Sequence, residues 1–200
     1  FEVDFKFIAP FCPRQITLST APYLYLDITV RPTSSTPVDL EVLIGQSLRP
    51  DDRVHEIELH GMTGFSYDCQ EESLGVIRSV PQTREGTWAW ATEAGPEITV
   101  TNNRFIPGEE WRFGDQSEGT ITSPVILEDG RRRLSVNTWP RYSGITWNVH
   151  LNPDTESERN IVAASWVADP ILNVLGEDYR FRYHEDFDGL NDVIEYAKNS

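Results

Sequence analysis

The sequence predicts an all-β domain: a two-sheet antiparallel sandwich, in the large form called a supersandwich, with one C-terminal helix. Three observations predict it. Apolar residues alternate with polar ones at period two along much of the chain. The segments between these runs are rich in Pro, Ser and Thr and read as turns. Helical spacing of apolar residues is clear only near the end.

The elements follow in order. Phe1, Val3, Phe5 and Phe7 share one face of an opening strand, with Glu2, Asp4 and Lys6 on the other. Leu24, Leu26, Ile28 and Val30 alternate with Tyr23, Tyr25, Asp27 and Thr29. Val38, Leu40, Val42 and Ile44 alternate with Asp39, Glu41 and Leu43. Between the last two runs lies the turn-forming stretch Arg31-Pro32-Thr33-Ser34-Ser35-Thr36-Pro37. Further strands are expected over Val54–His60, Leu74–Val80, Thr87–Ala91, Glu97–Thr101, Gly119–Leu127, Arg132–Thr138, Ile145–Leu151 and Arg159–Val167. The strongest hairpin signal is Asp129-Gly130, a pair that readily takes the positive φ angles of a tight turn. Phe187, Leu190, Val193, Ile194 and Ala197 then fall on one helical stripe, with Asp186 or Asp188 placed to cap its start. The expected division is a sandwich over 1–184 and a helical connector over 185–200. The chain opens directly on strand-forming residues, so sequence upstream of Phe1 is expected to have been removed.

Composition narrows the function classes. The 200 residues carry a formal net charge of −15. A surface this acidic repels phosphate backbones and anionic lipid, so neither nucleic acid nor membrane is expected as a partner. The one basic run, Arg131-Arg132-Arg133, follows the Asp129-Gly130 turn and reads as a solvated hairpin edge. No stretch approaches the roughly 18 apolar residues of a membrane span. Cys12 and Cys69 admit one disulfide or two buried thiols, and their spacing fits no metal motif.

Catalytic constellations are missing from the sequence pattern. There is no G-x-S-x-G, H-E-x-x-H, P-loop or G-x-G-x-x-G. His55, His60, His150 and His184 read as surface or hydrogen-bonded structural histidines. The adjacent acidic pairs Asp51-Asp52, Glu71-Glu72, Glu109-Glu110, Glu177-Asp178 and Glu185-Asp186 read as solvated turns. No catalytic residue, metal ligand or cofactor is therefore assigned. The aromatics say more. Trp88 and Trp90 share a strand face, and Trp139, Tyr142 and Trp147 gather around the Pro140 turn. Trp and Tyr faces serve either as core or as platforms for the apolar faces of sugar rings. These five are the candidate substrate-binding residues, with carbohydrate as the ligand.

Three stretches near the start carry a resemblance. Phe5-Lys6-Phe7-Ile8-Ala9-Pro10-Phe11-Cys12-Pro13 precedes Ala21-Pro22-Tyr23-Leu24-Tyr25-Leu26-Asp27-Ile28-Thr29-Val30, and Thr36-Pro37-Val38-Asp39-Leu40 follows. This resembles the N-terminal β-domain of glycoside hydrolase family 116, and is similar too to that of glutaminase A enzymes. The tail Tyr179–Phe187 and the helix after it look like the segment feeding an (α/α)6 barrel. The resemblance implies a non-catalytic accessory domain of a larger secreted or periplasmic hydrolase. Its partner would be a downstream catalytic domain of the same polypeptide, which in such families holds the catalytic residues. A free-standing carbohydrate-binding module and a structural secreted sandwich are the other readings. Without a downstream domain, the stripe from Phe187 to Ala197 must pack back on the sheet, pair with another copy, or fray. Self-association or poor order of this helix is the expectation.

Overall fold

The computed structural model describes residues 1–48, 53–74, 81–105, 125–126, 132–133 and 141–200. In chain order the elements are β1 (Glu2–Ile8), α1 (Ile16–Thr20), β2 (Tyr23–Arg31), β3 (Val38–Leu48), β4 (Arg53–Leu59), β5 (Met62–Leu74), β6 (Pro81–Glu93) and β7 (Ile98–Phe105). Then come β8 (Val125–Ile126), β9 (Arg132–Arg133), β10 (Arg141–Leu151), β11 (Ser157–Trp166), β12 (Leu172–Val174), β13 (Glu177–Tyr179), a 3-10 turn (Arg182–Glu185) and α2 (Leu190–Asn199). A six-stranded sheet runs β1-β2-β11-β6-β5-β4, and a three-stranded sheet runs β3-β10-β7. Two short ribbons, β12-β13 and β8-β9, complete the strands among the described residues. Every pairing is antiparallel.

The large sheet is covered on both faces. One face meets the small sheet across a core of Leu26, Ile28, Val30, Phe65, Ile145, Trp147, Val149, Leu151 and Ile161. The predicted alternation of β3 is realised here: Leu40, Val42 and Ile44 pack into this core, while Leu43 turns outward. The other face lies under α2. There Val193, Ile194, Ala197 and Phe187 pack over Ile57, Met62, Ala89, Ala91, Val162 and Ala164. The sequence of β6 explains how one strand serves both layers. In Trp88-Ala89-Trp90-Ala91 the large rings point to one face and the two alanines to the other, so α2 can approach the sheet closely. Tyr23 is also buried on the helix side with Tyr25 half-buried beside it, so the start of β2 is apolar on both faces.

Of the three ways to cover the helical stripe, the chain therefore packs it back on its own sheet. Val193 and Ile194 are fully buried there. This corrects the basis for expecting self-association or fraying at α2, because the stripe is not left open. The capping expectation also changes. Gly189 is the N-cap and makes no side-chain cap bond; instead the Asp192 carboxylate accepts the Asp188 backbone N–H at 2.9 Å. Asp192 also places a negative charge in the first turn, where the helix dipole favours it.

Several elements extend the predicted set. Strand β5 was not expected over Met62–Leu74; the strand expected over Leu74–Val80 lies, beyond Leu74, outside the described residues. It is entered by a two-residue turn, His60-Gly61, with φ of 49° and 80°. Leu59 opposite Met62 makes this a tight hairpin of the mirror-image type. A second such turn, Leu175-Gly176, joins β12 to β13 with φ of 55° and 91°. The short α1 and the 3-10 turn also accompany the predicted helix. The Asp129-Gly130 hairpin keeps its flanks, since Ile126 pairs with Arg132, while its turn lies outside the described residues. Cys12 is a free, half-buried thiol; the side chain of Cys69 lies outside the described set.

Candidate functional site

The five aromatic candidates separate into different environments. Trp147 on β10 is 4% exposed and sits in the core between the sheets. The Arg159 guanidinium lies 5.6 Å from its ring centroid. Trp147 is thus a core residue whose face is taken by a cation rather than offered to a ligand. Trp90 packs half-buried against the same core. Trp88, two residues earlier and on the same face, is 44% exposed. Tyr142 lies on β10 opposite Ser47 and Arg104, with a register shift beside it, and nothing further is described of its side chain. Trp139 lies outside the described residues. The cluster expected around Pro140 is therefore not assembled from Trp147, and Trp88 is the candidate that reaches solvent among those described.

Trp88 has an aromatic neighbour that sequence reasoning missed. Tyr67 on β5 is directly opposite it across the ladder, so both rings stand on one face of the large sheet. Ser165 on β11 flanks Trp88 on the other side. Two aromatic residues with a serine beside them on one sheet face are residue types that can contact a sugar ring. The signal for Tyr67 was present as Phe65 and Tyr67 at period two, masked by Gly64, Ser66 and Asp68 between and after them.

Arg159 closes one end of the sandwich. Its side chain is largely buried, donates to the Glu97 carboxylate and reaches the Glu93 carbonyl at 3.2 Å. The Glu97 carboxylate is held below its ordinary range by its own backbone N–H, with Arg159 adding to that effect against an opposing desolvation. Burial, with Tyr23 beside it, pushes the Tyr25 phenol up; its hydroxyl donates to the Ala197 carbonyl at 2.6 Å and ties α2 to β2. Both arrangements tie elements of the fold together.

The histidines keep the structural roles read from the sequence. His55 meets Asp68 at 3.0 Å, and Asp68 also accepts from Thr87 at 2.8 Å. His150 meets Asp39 at 2.6 Å, His60 lies 3.6 Å from Glu195, and His184 Nε2 is 2.8 Å from the Val167 carbonyl. Among the described residues no group of three His, Cys, Asp or Glu is arranged to hold a metal ion. Of the acidic pairs, Glu177-Asp178 and Glu185-Asp186 are exposed, and Arg182 pairs with both members of the latter. Asp51-Asp52 and Glu109-Glu110 lie outside the described residues, as do the side chains of Glu71-Glu72.

A second apolar surface was not anticipated. The β12–β13 ribbon carries exposed Val174, Leu175 and Tyr179, with exposed Phe181 just beyond. Phe181 stacks on Tyr183, whose ring packs against Trp166 and His184, so the ribbon springs from an aromatic base. Leu175 is fully exposed and holds a left-handed φ. The Leu-Gly pair at the turn was the available signal. No helix among the described residues is long and apolar enough to cross a membrane. No protein-family model matches the chain, and no curated protein matches it in sequence.

Proposed function

We propose that this chain is a non-catalytic accessory domain of a larger secreted carbohydrate-active hydrolase, a sandwich that supports a helical-barrel catalytic domain and shapes its substrate entrance. The observation that carries the reading is Leu175. Tight mirror-image turns favour Asn, Asp or Gly, because other residues are strained at positive φ. A leucine there is strained and leaves its side chain in water. Neither feature helps the ribbon fold, and both are accounted for if the crest is covered by another domain. Strain of this kind is a reason to look for a function at the residue that bears it. The ribbon lies just before α2, on the side of the chain from which the downstream domain would continue.

The test uses the full-length polypeptide. Leu175→Asp is expected to lower its thermal midpoint and weaken its hydrolytic activity, while leaving the 200-residue chain as stable as before. Equal stability and activity in both full-length proteins would remove the reading. The isolated chain is expected to turn over neither aryl glycosides nor glutamine. Activity of the parent toward glutamine rather than glycosides would select the amidohydrolase alternative. A free-standing sugar-binding module is the second reading, and Trp88 beside Tyr67 favours it. Oligosaccharide binding by the isolated chain that Trp88→Ala abolishes would decide for it.

A further inference from the structure

The edge of the large sheet is unusual. Among the described residues β1 pairs only with β2. Val3, Phe5 and Phe7 of β1 lie opposite Val30, Ile28 and Leu26, the residues that form the core between the sheets. Their side chains therefore point to the sandwich interior. Yet Phe5 is 56% exposed and Phe7 66% exposed, with Phe1 exposed beside them. Among the described residues the small sheet has three strands against six, and on this face of β1 Val3 packs against the core while Phe5 and Phe7 do not. An apolar strand edge with unpaired backbone groups is a template for another strand.

From this geometry we infer that β1 is a homodimer edge, at which two copies join antiparallel about a two-fold axis through Phe5. The occupant is a second copy because the strand is self-complementary. A two-fold axis perpendicular to the sheet keeps each residue on its own face, so only residues of the same parity can face each other. Strand β1 spans Glu2–Ile8, and its midpoint is Phe5. Full-length pairing thus sets Phe5 on Phe5, Val3 on Phe7, and Asp4 on Lys6 of the other copy. The neighbouring registers each bring like charges together. An axis at Val3 sets Glu2 on Asp4, one at Lys6 sets Lys6 on itself, and one at Asp4 matches Glu2 with Lys6 but sets Asp4 on itself and leaves Ile8 unpaired. Like charges directly opposite destabilise a pair of strands, and opposite charges stabilise it. The register that uses the whole strand is therefore also the one that matches charges without a like pair. Arg31, paired with both Asp4 and Glu156, holds the Asp4 side chain in place. The exposed phenylalanines then meet their counterparts over the open side, and the two large sheets become one.

Sedimentation velocity of the 200-residue chain should show a species of twice the 22.8 kDa chain mass in the micromolar range. Lys6→Glu, which opposes two acidic side chains at each of two symmetric positions, should weaken the dimer about tenfold or more. Adding Asp4→Lys to Lys6→Glu restores opposite charges and should restore the dimer. Phe5→Cys should cross-link under mild oxidation, since facing Cα atoms in an antiparallel pair are about 4.5–5.5 Å apart, within disulfide reach. The wild-type chain, with Cys12 and Cys69, gives the background. Three results would overturn the inference: a monomer throughout the micromolar range, a dimer indifferent to Lys6→Glu, or Phe5→Cys cross-linking no more than wild type. Circular dichroism of each variant separates loss of the dimer from loss of the fold.

Discussion

Helix α2 offers the sharpest test of how the layers depend on one another. Ile194 is fully buried between α2 and the large sheet, in a cluster with Ala89, Ala91, Val162 and Met62. Ile194→Ala removes that contact and leaves a cavity that the two alanines of β6 cannot fill by shifting. Such substitutions cost about 2–5 kcal/mol. In a chain of this size each kcal/mol moves the thermal midpoint by about 2–4 °C, so a fall of about 4–20 °C is expected. Deleting Phe187 onward goes further. Phe187, Val193 and Ile194 each contribute about 1.5–3 kcal/mol by burial, or about 4.5–9 kcal/mol together. That is most of the roughly 5–15 kcal/mol by which domains are stable. The truncated chain should therefore be largely unfolded at body temperature, or bind hydrophobic dyes through the bared sheet. Urea unfolding followed by tryptophan fluorescence reads both changes. A truncated chain with the midpoint of the intact one would show that the sandwich is independent of its helix.

Other outcomes follow from single contacts. Gly64→Ala should destabilise the fold severely, because a Cβ there would meet the Trp90 carbonyl oxygen and Ala91 Cα across the β5–β6 pair; thermal melting reads it. Trp147→Ala should cost about 3–5 kcal/mol, whereas Trp88→Ala should stay near the few tenths typical of surface sites, as urea midpoints will show. Glu97 titrates below its ordinary range when folded, so its contribution is complete above an unfolded value of about 4.3 and is lost as pH falls through the folded one. Stability measured from neutral pH down to strong acid should thus fall less steeply below about pH 4 in Glu97→Gln than in the wild type.

What the sequence made legible was periodicity, and what it hid was tertiary choice. The stripe from Phe187 to Ala197 could be read from spacing alone, and each member is buried or partly buried in the fold. Its destination could not, because half of the sheet residues that receive it beside Ile57, Met62 and Val162 are Ala89, Ala91 and Ala164, which no hydropathy pattern marks as a core. Strand β5 escaped for a related reason. Its helix-side positions include Gly64 and Ser66, small buried residues that suit a sheet lying under a helix but resemble a turn when read in line. The His60-Gly61 turn lacked the Asn or Asp that would have flagged it. The burial of Trp147 could not be read from its strand, because it depends on the facing sheet, which also supplies Arg159.

A strand signals which of its faces is apolar, but not whether anything covers that face. Trp90 and Trp88 share parity, strand and chemistry, yet Trp90 packs against the core and Trp88 is 44% exposed. Phe5 and Phe7 share parity with Val3, which does reach the core, and are exposed on the edge strand of the six-stranded sheet. The β1 edge carries alternating charge with a self-matching register, which a second copy of the chain satisfies. Trp88 stands on an interior strand between Tyr67 and Ser165, a surface without such symmetry. The two surfaces should therefore respond to different partners: Lys6→Glu should shift the molecular mass and leave sugar binding alone. Trp88→Ala should do the reverse, and a variant that moved both readouts together would show that the two surfaces are one.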